Sequence, residues 1–249
     1  MPRTPSDAIV LLSGGLDSAT ALAIALSEGH RCHAVTFRYG QRHELEVVAA
    51  SRVAAARGAA DHRIVPLSLG ELGGSALTDE AVPVPEGRSA EDMSAGIPET
   101  YVPARNTIFL AHALALAEVT ESDFVYLGVN SVDYSGYPDC RPEYVDAFRR
   151  LARLATRRAV EGQPPEIVAP LQYMGKADII RKGAELSVDF SLTLSCYNPD
   201  GQGRACGRCD ACALRRGGFV EAGVPDPTIY RPGVTFADQG ARLPGGSAI

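Results

Sequence analysis

An apolar run from Ala8 to Leu12 breaks at two glycines, Gly14 and Gly15, and a helical pattern follows directly. A short, continuous apolar run is typical of a strand that is buried on both faces of a sheet. The run therefore predicts a strand covered by helices above and below.

Strand and helix patterns alternate after this run. The sequence predicts a helix from Ala19 to Leu26, a strand from Cys32 to Phe37, a helix from about Glu44 to Arg57 and a short strand at Ile64 and Val65. Parallel strands joined by right-handed crossovers produce this order. We therefore predict an α/β fold with an open, doubly wound, mostly parallel sheet, in which ligands bind at the carboxyl ends of the strands.

The pattern becomes less regular further along the chain. Residues 68–101 are rich in glycine, proline and acidic residues, which is typical of either a lid or a surface excursion, and the sequence leaves both open. The remaining elements are a buried helix from Thr107 to Val119, a strand from Phe124 to Leu127, and a helix from Pro142 to about Val160 with Tyr144, Phe148, Leu151 and Ala155 on its buried face. Arginines line the other side of this last helix, where a solvated face and a phosphate or subunit contact are the two interpretations.

The charge balance and the hydropathy pattern restrict the partners. The 30 acidic and 24 basic residues give a net charge of −6, which offers no general attraction to polyanions, so we expect no stable nucleic-acid partner. No apolar stretch reaches the roughly 18 residues that a membrane helix needs, and Met1 to Asp7 lead into no signal-type segment. We expect a cytoplasmic protein without membrane contact.

The turn after the first strand has the features of an anion site. The segment from Ser13 to Ser18, Ser-Gly-Gly-Leu-Asp-Ser, joins a buried strand to a helix, where unpaired N–H groups and the helix dipole attract negative charge. The glycines let the backbone approach a phosphate, and the serine hydroxyls can donate to its oxygens. Asp17 fits three roles that the sequence does not separate: it can orient Mg²⁺, orient a loop amide or cap the helix.

Six cysteines occur in the chain, and four of them lie close together: Cys196, Cys206, Cys209 and Cys212. Thiolates at this spacing fit tetrahedral Zn²⁺ with every ligand position filled, which is a structural site, and an iron–sulfur cluster is the main alternative. We expect one structural Zn²⁺ per chain. The ion would stabilise a small zinc-binding C-terminal region of residues 195–249, which follows an α/β domain of residues 1–194.

The Ser13 to Ser18 segment, directly after the first strand, resembles the PP-loop of the N-type ATP pyrophosphatases, which have an adenine nucleotide alpha hydrolase-like fold. That superfamily binds ATP with this loop and cleaves between the α and β phosphates. The resemblance implies that ATP, together with Mg²⁺, is bound by a run of consecutive residues: Leu12, Ser13, Gly14, Gly15, Leu16, Asp17, Ser18, Ala19 and Thr20.

Four further segments resemble one family of that superfamily, the 7-cyano-7-deazaguanine synthases of queuosine and archaeosine biosynthesis. They are residues 35–43 (VTFRYGQRH), 96–106 (GIPETYVPARN), 133–141 (DYSGYPDCR) and 195–198 (SCYN). Ala104 departs from the glycine that the family usually has before Arg-Asn. The resemblance implies a carbon–nitrogen ligase that uses ATP to join 7-carboxy-7-deazaguanine and free ammonia, first as an amide and then as a nitrile, with release of AMP and pyrophosphate.

The same resemblance implies roles for single residues. Arg105 is a candidate for binding phosphate or carboxylate, and Phe37 is expected to bring its backbone to adenine, with core packing as the alternative. Lys176 resembles the phosphate lysine of the superfamily, with an exposed lysine at a helix start as the alternative. The residues expected to act in catalysis are Ser13, Asp17, Ser18, Arg105 and Lys176, and those expected to bind the deazaguanine are Asp133, Tyr134, Tyr137, Asp139 and Arg141.

A PP-loop enzyme that transfers sulfur to tRNA is a second candidate. It would need a catalytic cysteine pair near ATP, and Cys32 and Cys140 are the cysteines left for that role. A nucleotide-binding module without catalysis is the third. From the family resemblance we also expect a homodimer.

Overall fold

A computed structural model describes residues 6–132 and 136–236 of the chain. Its centre is a five-stranded sheet in which every pairing of neighbouring strands is parallel. The strands are β1 (Asp7–Leu11), β2 (Arg31–Arg38), β3 (Asp61–Pro66), β4 (Phe124–Tyr126) and β5 (Glu166–Val168). Their order across the sheet is β3-β2-β1-β4-β5, so the chain winds outwards from β1 in both directions.

Helices connect the strands and cover the sheet. They are α1 (Leu16–Ser27), α2 (Leu45–Arg57), α3 (Ala90–Ser94), α4 (Arg105–Val119), α5 (Pro142–Ala152), α6 (Arg157–Val160), α7 (Lys176–Glu185) and α8 (Asp210–Ala222). Short 3₁₀ turns lie at Leu69–Leu72, Pro138–Cys140 and Phe190–Leu192. The predicted open, doubly wound α/β fold is confirmed.

The central strand β1 supplies apolar side chains to both faces of the sheet. Val10 packs in one apolar cluster with residues of α1, α2, α7 and α8, whereas Ile9 packs in a second cluster with residues of α4 and α5. Successive side chains of a strand point to opposite faces, so an uninterrupted apolar run is what a doubly covered strand requires. The whole run from Ala8 to Val10 is inaccessible to solvent.

The helix predicted from Pro142 to about Val160 is wrong in its extent. It ends at Ala152, and a separate turn, α6, starts after Thr156, whose side chain accepts a hydrogen bond from the Ala159 N–H. An N-cap of this kind marks a helix start, which divides the segment. The buried face also differs: it holds Val145, Phe148 and Ala152, while Leu151 is 46% exposed.

Two arginines of this segment have close partners in the protein. The Arg149 Nε donates to the Ile167 carbonyl over 2.9 Å, which ties α5 to β5. Arg158 donates to the Ser122 carbonyl over 2.6 Å and pairs with Asp123. Arg149 thus ties α5 to the sheet, and Arg158 ties α6 to the segment before β4. Three other arginines are exposed, as the interpretation of a solvated face predicts: Arg150, Arg153 and Arg157.

Residues 68–101 pack against the rest of the chain. Arg42 reaches across to this segment and donates to backbone carbonyls of Ala76, Asp79, Glu80 and Val82. Arg88 forms an ion pair with Asp210 at the start of α8. The segment therefore bridges β2 and the cysteine-rich region.

Within the part of the chain that the structure describes, no helix is long and apolar enough to cross a membrane.

Helix α8 of the cysteine-rich region is part of the main core. A Cβ at Gly218 would lie 2.5 Å from the Lys176 Cγ, so α8 and α7 are in close contact there, and Phe219 belongs to the same apolar cluster as Val10. The boundary between residues 194 and 195 stays a prediction.

We expect Gly14→Ala to destabilise the fold more than a matched substitution, Gly29→Ala. Both glycines have a positive φ, 88° and 87°, but a Cβ at Gly14 would lie 2.3 Å from the Glu46 carbonyl oxygen, while a Cβ at Gly29 would meet no atom within 4 Å. Both variants should lose about 1–2 kcal/mol of folding free energy to backbone strain, and Gly14→Ala about 1–3 kcal/mol more to the steric clash. Urea unfolding measures the difference, and equal losses would contradict the packing described.

Candidate active site

A cavity of about 250 Å³ opens at the carboxyl ends of the central strands. Leu12 after β1, Phe37 at the end of β2 and Gly128 after β4 all line it. The carboxyl ends of parallel strands share one edge of the sheet, which is where ligands bind in open α/β folds. The location that the sequence predicted for the ligand site therefore coincides with the cavity.

The turn from Ser13 to Ser18 forms one wall of this cavity. The Ser18 hydroxyl accepts from the Ser13 N–H over 3.2 Å and donates to the Gly15 carbonyl over 3.0 Å, which closes the turn on itself. Gly15 is the N-cap of α1, and no side chain caps the first N–H groups of this helix. The start of α1 thus presents donors and a positive dipole end to the cavity.

Asp17 and Lys176 form an ion pair in the cavity wall. The Lys176 Nζ donates to both carboxylate oxygens of Asp17, over 2.9 and 2.8 Å, although the two residues are 159 positions apart in the sequence. Lys176 is the first residue of α7 and is only 8% exposed, so the interpretation of an exposed lysine is wrong. Asp17 does not cap α1 either, because the N-cap residue is Gly15 and no side chain accepts from the first N–H groups of the helix.

A second group of polar residues faces the turn. Arg105 at the start of α4, Tyr39 just after β2 and Glu46 in the first turn of α2 all line the cavity. Burial raises the pKa of Glu46 to about 7, and the positive charge of Arg105 opposes that rise. Burial also raises the pKa of Tyr39.

Aromatic rings cover the side of the cavity next to β2. The rings of Phe37 and Phe109 stack with their centroids 4.1 Å apart and an interplanar angle of 14°. The Phe37 carbonyl accepts from the Gln41 Nε2 over 3.2 Å. Phe37 is therefore both a core residue, as its alternative interpretation proposed, and a residue of the cavity wall.

The structure brings most of the predicted site residues together. Those that line the cavity are Leu12, Ser13, Gly15, Leu16, Asp17, Ser18, Phe37, Arg105, Tyr137 and Lys176. Five others do not line it: Gly14, Ala19, Thr20, Asp139 and Arg141. Asp133 and Tyr134 lie outside the described residues.

The residues that stay outside the cavity have other contacts. Thr20 is inaccessible and donates to the Leu16 carbonyl within α1, and Ala19 is inaccessible as well. Asp139 is buried and accepts from the Asn106 N–H over 2.9 Å, which satisfies a donor in the first turn of α4. Arg141 is exposed as the N-cap residue of α5.

Sequence reasoning missed several residues of the cavity wall: Tyr39, Gln41, Glu46, Thr100, Asn106, Phe109, Leu194, Ser195, Tyr197 and Arg215. Tyr39 and Gln41 follow β2 closely, so the rule that ligands bind at the carboxyl ends of strands could have identified them, whereas Glu46 lies in the first turn of α2. Thr100 and Asn106 lie in a segment already singled out by its resemblance. Arg215 has no such local signal, because α8 brings it to the site from far along the chain.

The four clustered cysteines form a buried group beside the cavity. Their sulfur atoms all lie within 4.8 Å of one another, and the Cys206 and Cys212 sulfurs are 3.9 Å apart. Backbone N–H groups donate to these sulfurs: those of Asn198 and Cys206 to Cys196, over 3.3 and 3.2 Å, and that of Cys209 to Cys206, over 3.3 Å. Such donors stabilise thiolates, so the cluster is suited to hold a metal ion.

The fold and the turn at its carboxyl edge define an α/β protein of the PP-loop nucleotide-binding class. The family described as queuosine biosynthesis protein QueC matches residues 7–223, and the chain belongs to that family.

Relatives with the name 7-cyano-7-deazaguanine synthase are similar over nearly their whole length. The one from Thiobacillus denitrificans is 60% identical over 223 residues, which are 90% of this chain and 97% of that protein. The one from Anaeromyxobacter dehalogenans is 58% identical over 90% of this chain and 95% of its own. Among solved structures the likeness is more distant: NMN synthetase from Francisella tularensis has a TM-score of 0.46 at 15% identity, over 90% of this chain and 74% of that one.

The cysteine cluster predicts a metal content that can be measured. We expect the purified protein to contain one metal ion per chain and the Cys206→Ser variant to contain none, because the remaining thiolates leave a coordination position open. The control is Cys32→Ser, which changes a buried cysteine outside the cluster. Elemental analysis by mass spectrometry measures both. If the Cys206→Ser variant still contained one metal ion per chain, the cysteine cluster would be excluded as the metal site.

Proposed function

We propose that this chain is a carbon–nitrogen ligase that converts 7-carboxy-7-deazaguanine and ammonia to 7-cyano-7-deazaguanine, for queuosine biosynthesis. The observation that carries the proposal is the name shared by relatives that are 55–60% identical over about nine tenths of the chain. The cavity supports it, because the phosphate-type turn, a buried lysine and an arginine converge there.

The reaction requires two activations of one carbon. ATP first converts the substrate carboxylate to an acyl adenylate with loss of pyrophosphate, and ammonia then displaces AMP to give the amide. A second ATP activates the amide oxygen, and loss of AMP leaves the nitrile. Since AMP is a good leaving group, the protein has mainly to bring the reacting groups together and to stabilise charge as it develops.

The turn is the proposed site of the phosphates. The free N–H groups at the start of α1, the Ser13 and Ser18 hydroxyls and the Lys176 ammonium would contact their oxygens. Asp17 is the carboxylate next to the turn, and Mg²⁺ is ordinarily bound by one or two carboxylates together with substrate phosphates, so Asp17 fits the ion that accompanies ATP. The ion would supply charge neutralisation between the phosphates.

The remaining polar and aromatic groups are the proposed contacts of the two organic ligands. The backbone at Phe37 would approach adenine, and Tyr137 would stack on the deazaguanine. Arg105 forms none of the ion pairs found in the described residues, so its guanidinium can bind the substrate carboxylate or a phosphate. Asp139 and Arg141 are not part of this proposal, since neither lines the cavity.

We propose zinc as the metal of the cysteine cluster. Tetrahedral zinc with Zn–S bonds of about 2.3 Å sets its sulfur atoms about 3.8 Å apart, which agrees with the 3.9 Å between Cys206 and Cys212. In an iron–sulfur cluster the thiolates bind different irons, which spreads their sulfurs further. The site would hold the segment after residue 195 together without taking part in the reaction.

The sulfur-transfer alternative finds no support in the arrangement of the cysteines. Cys32 and Cys140 pack in the two apolar clusters on opposite faces of the sheet, and of the two only Cys140 lines the cavity. Burial raises the pKa of Cys32 to about 12, which disfavours the reactive thiolate.

We further propose that the protein is cytoplasmic and forms a homodimer without a stable nucleic-acid partner. The net charge of −6 supports the last point. Leu154 and Val160, which are 80% and 82% exposed, offer an apolar surface for a subunit contact.

The direct test incubates the protein with ATP, Mg²⁺, ammonium and 7-carboxy-7-deazaguanine. Mass spectrometry should find the amide, then the nitrile, and AMP released for each. Ser13→Ala and Asp17→Ala should slow AMP formation by about 10²-fold or more, because each removes a group at the phosphates.

The control is Ser27→Ala at the far end of α1, which should leave the rate unchanged. Circular dichroism checks that Asp17→Ala still folds, since that change leaves the buried Lys176 without its carboxylate. AMP without a nitrile, or unchanged rates in both turn variants, would exclude the proposed function.

A further inference from the structure

Glu46 differs from the other carboxylate of the cavity wall. Of the described residues that line the cavity, only Asp17 and Glu46 carry carboxylates. Asp17 is held by Lys176 through both oxygens. Glu46 forms none of the ion pairs found among the described residues, although the positive charge of Arg105 acts on it electrostatically.

The position of Glu46 is fixed by the packing of α2 on the turn from Ser13 to Ser18. Its carbonyl oxygen lies against Gly14 so closely that only a glycine fits there. The side chain belongs to the first turn of α2 and lines the same cavity as Arg105 and the turn from Ser13 to Ser18. A substrate activated at the turn would therefore share its cavity with the Glu46 carboxyl group.

The proposed reaction needs a proton acceptor in this cavity. Conversion of an amide to a nitrile removes both N–H protons from the nitrogen, and the second leaves as the triple bond forms. General bases contribute to such steps when they are placed beside the departing proton. Nitrile formation thus requires a proton acceptor, which phosphate binding alone does not require.

The other titratable groups of the cavity are poor acceptors. They are Asp17, Tyr39, Arg105, Tyr137, Cys140, Lys176, Tyr197 and Arg215. Tyrosine, arginine, lysine and cysteine ordinarily keep their protons at neutral pH, and Asp17 is neutralised by its lysine. No histidine is found among the described residues of the cavity wall.

We propose that the Glu46 carboxylate accepts the last N–H proton when the adenylated amide becomes the nitrile, an inference that rests on the proposed function. The amide oxygen first attacks the α-phosphorus of ATP and pyrophosphate leaves. The activated nitrogen loses one proton to solvent. Glu46 then takes the remaining proton, the N–H electron pair becomes the third carbon–nitrogen bond, and the carbon–oxygen bond breaks with its electrons departing on AMP.

The protonation behaviour of Glu46 agrees with this role. Burial raises its pKa to about 7, and Arg105 keeps it from rising further. Tyr39, which also faces it, carries no charge while protonated. A base whose pKa lies near the working pH combines a deprotonated population with useful basicity. Because only the carboxylate can accept the proton, the rate of nitrile formation should fall as the pH drops below about 7.

Glu46→Gln tests the inference, because it keeps the size of the side chain and removes the base. Glu44→Gln is the matched control: Glu44 precedes α2, is exposed, pairs with Arg38 and does not line the cavity. Starting from the carboxylate, Glu46→Gln should still form the amide, which accumulates, while kcat for nitrile formation falls by about 10²- to 10³-fold. In this variant, the rate of nitrile formation should no longer fall below neutral pH.

Glu46→Asp gives a second measurement with the charge retained. It should keep part of the nitrile rate and an acid limb in its pH profile. The inference is overturned if Glu46→Gln forms the nitrile at the rate of Glu44→Gln, or if it only raises the KM for the deazaguanine, which would make Glu46 a recognition residue. A wild-type protein that makes no nitrile at all would overturn the proposed function instead, so the two failures are distinguishable.

Discussion

The close contact between the turn from Ser13 to Ser18 and α2 is the constraint on which the cavity depends. Gly14 lies against the Glu46 carbonyl and the Ala50 N–H, with no room for a Cβ. From the other side, the Leu194 N–H donates to the Gly14 carbonyl over 2.9 Å. The turn is thus held between two elements from distant parts of the chain, which fixes the direction of the N–H groups at the start of α1.

The same contact explains why the cysteine-rich region belongs to the site. Leu194 lies two residues before Cys196, so the segment that holds the turn continues directly into the metal-binding cluster. The buried Arg215 of α8 reinforces this segment by donating to the Thr193 hydroxyl over 2.8 Å and to the Phe190 carbonyl over 3.0 Å. A metal bound by the cysteines would therefore stabilise one side of the turn from Ser13 to Ser18, although the cysteine cluster lies outside the cavity.

The features that the sequence predicted correctly have local causes. Three patterns predict their structures from a few neighbouring residues: the apolar run, the glycine turn and the closely spaced cysteines. The interactions that sequence reasoning missed are long-range. Lys176 pairs with Asp17 across 159 positions, and Asp139 accepts a hydrogen bond from the Asn106 N–H and does not line the cavity. The end of α5 was missed because a cap at Thr156 outweighed a continuing helical pattern. Glu46 was overlooked because an acidic residue in a first helical turn is ordinarily only a favourable partner of the helix dipole.

In the proposed reaction, both oxygen atoms of the substrate carboxylate leave on AMP, and both are activated in the same cavity. Substrate labelled with ¹⁸O in both carboxylate oxygens tests this most directly. The AMP released during amide formation should carry one labelled oxygen, and the AMP released during nitrile formation should carry the other. The pyrophosphate should carry none. Unlabelled AMP, or label in water or pyrophosphate, would contradict it.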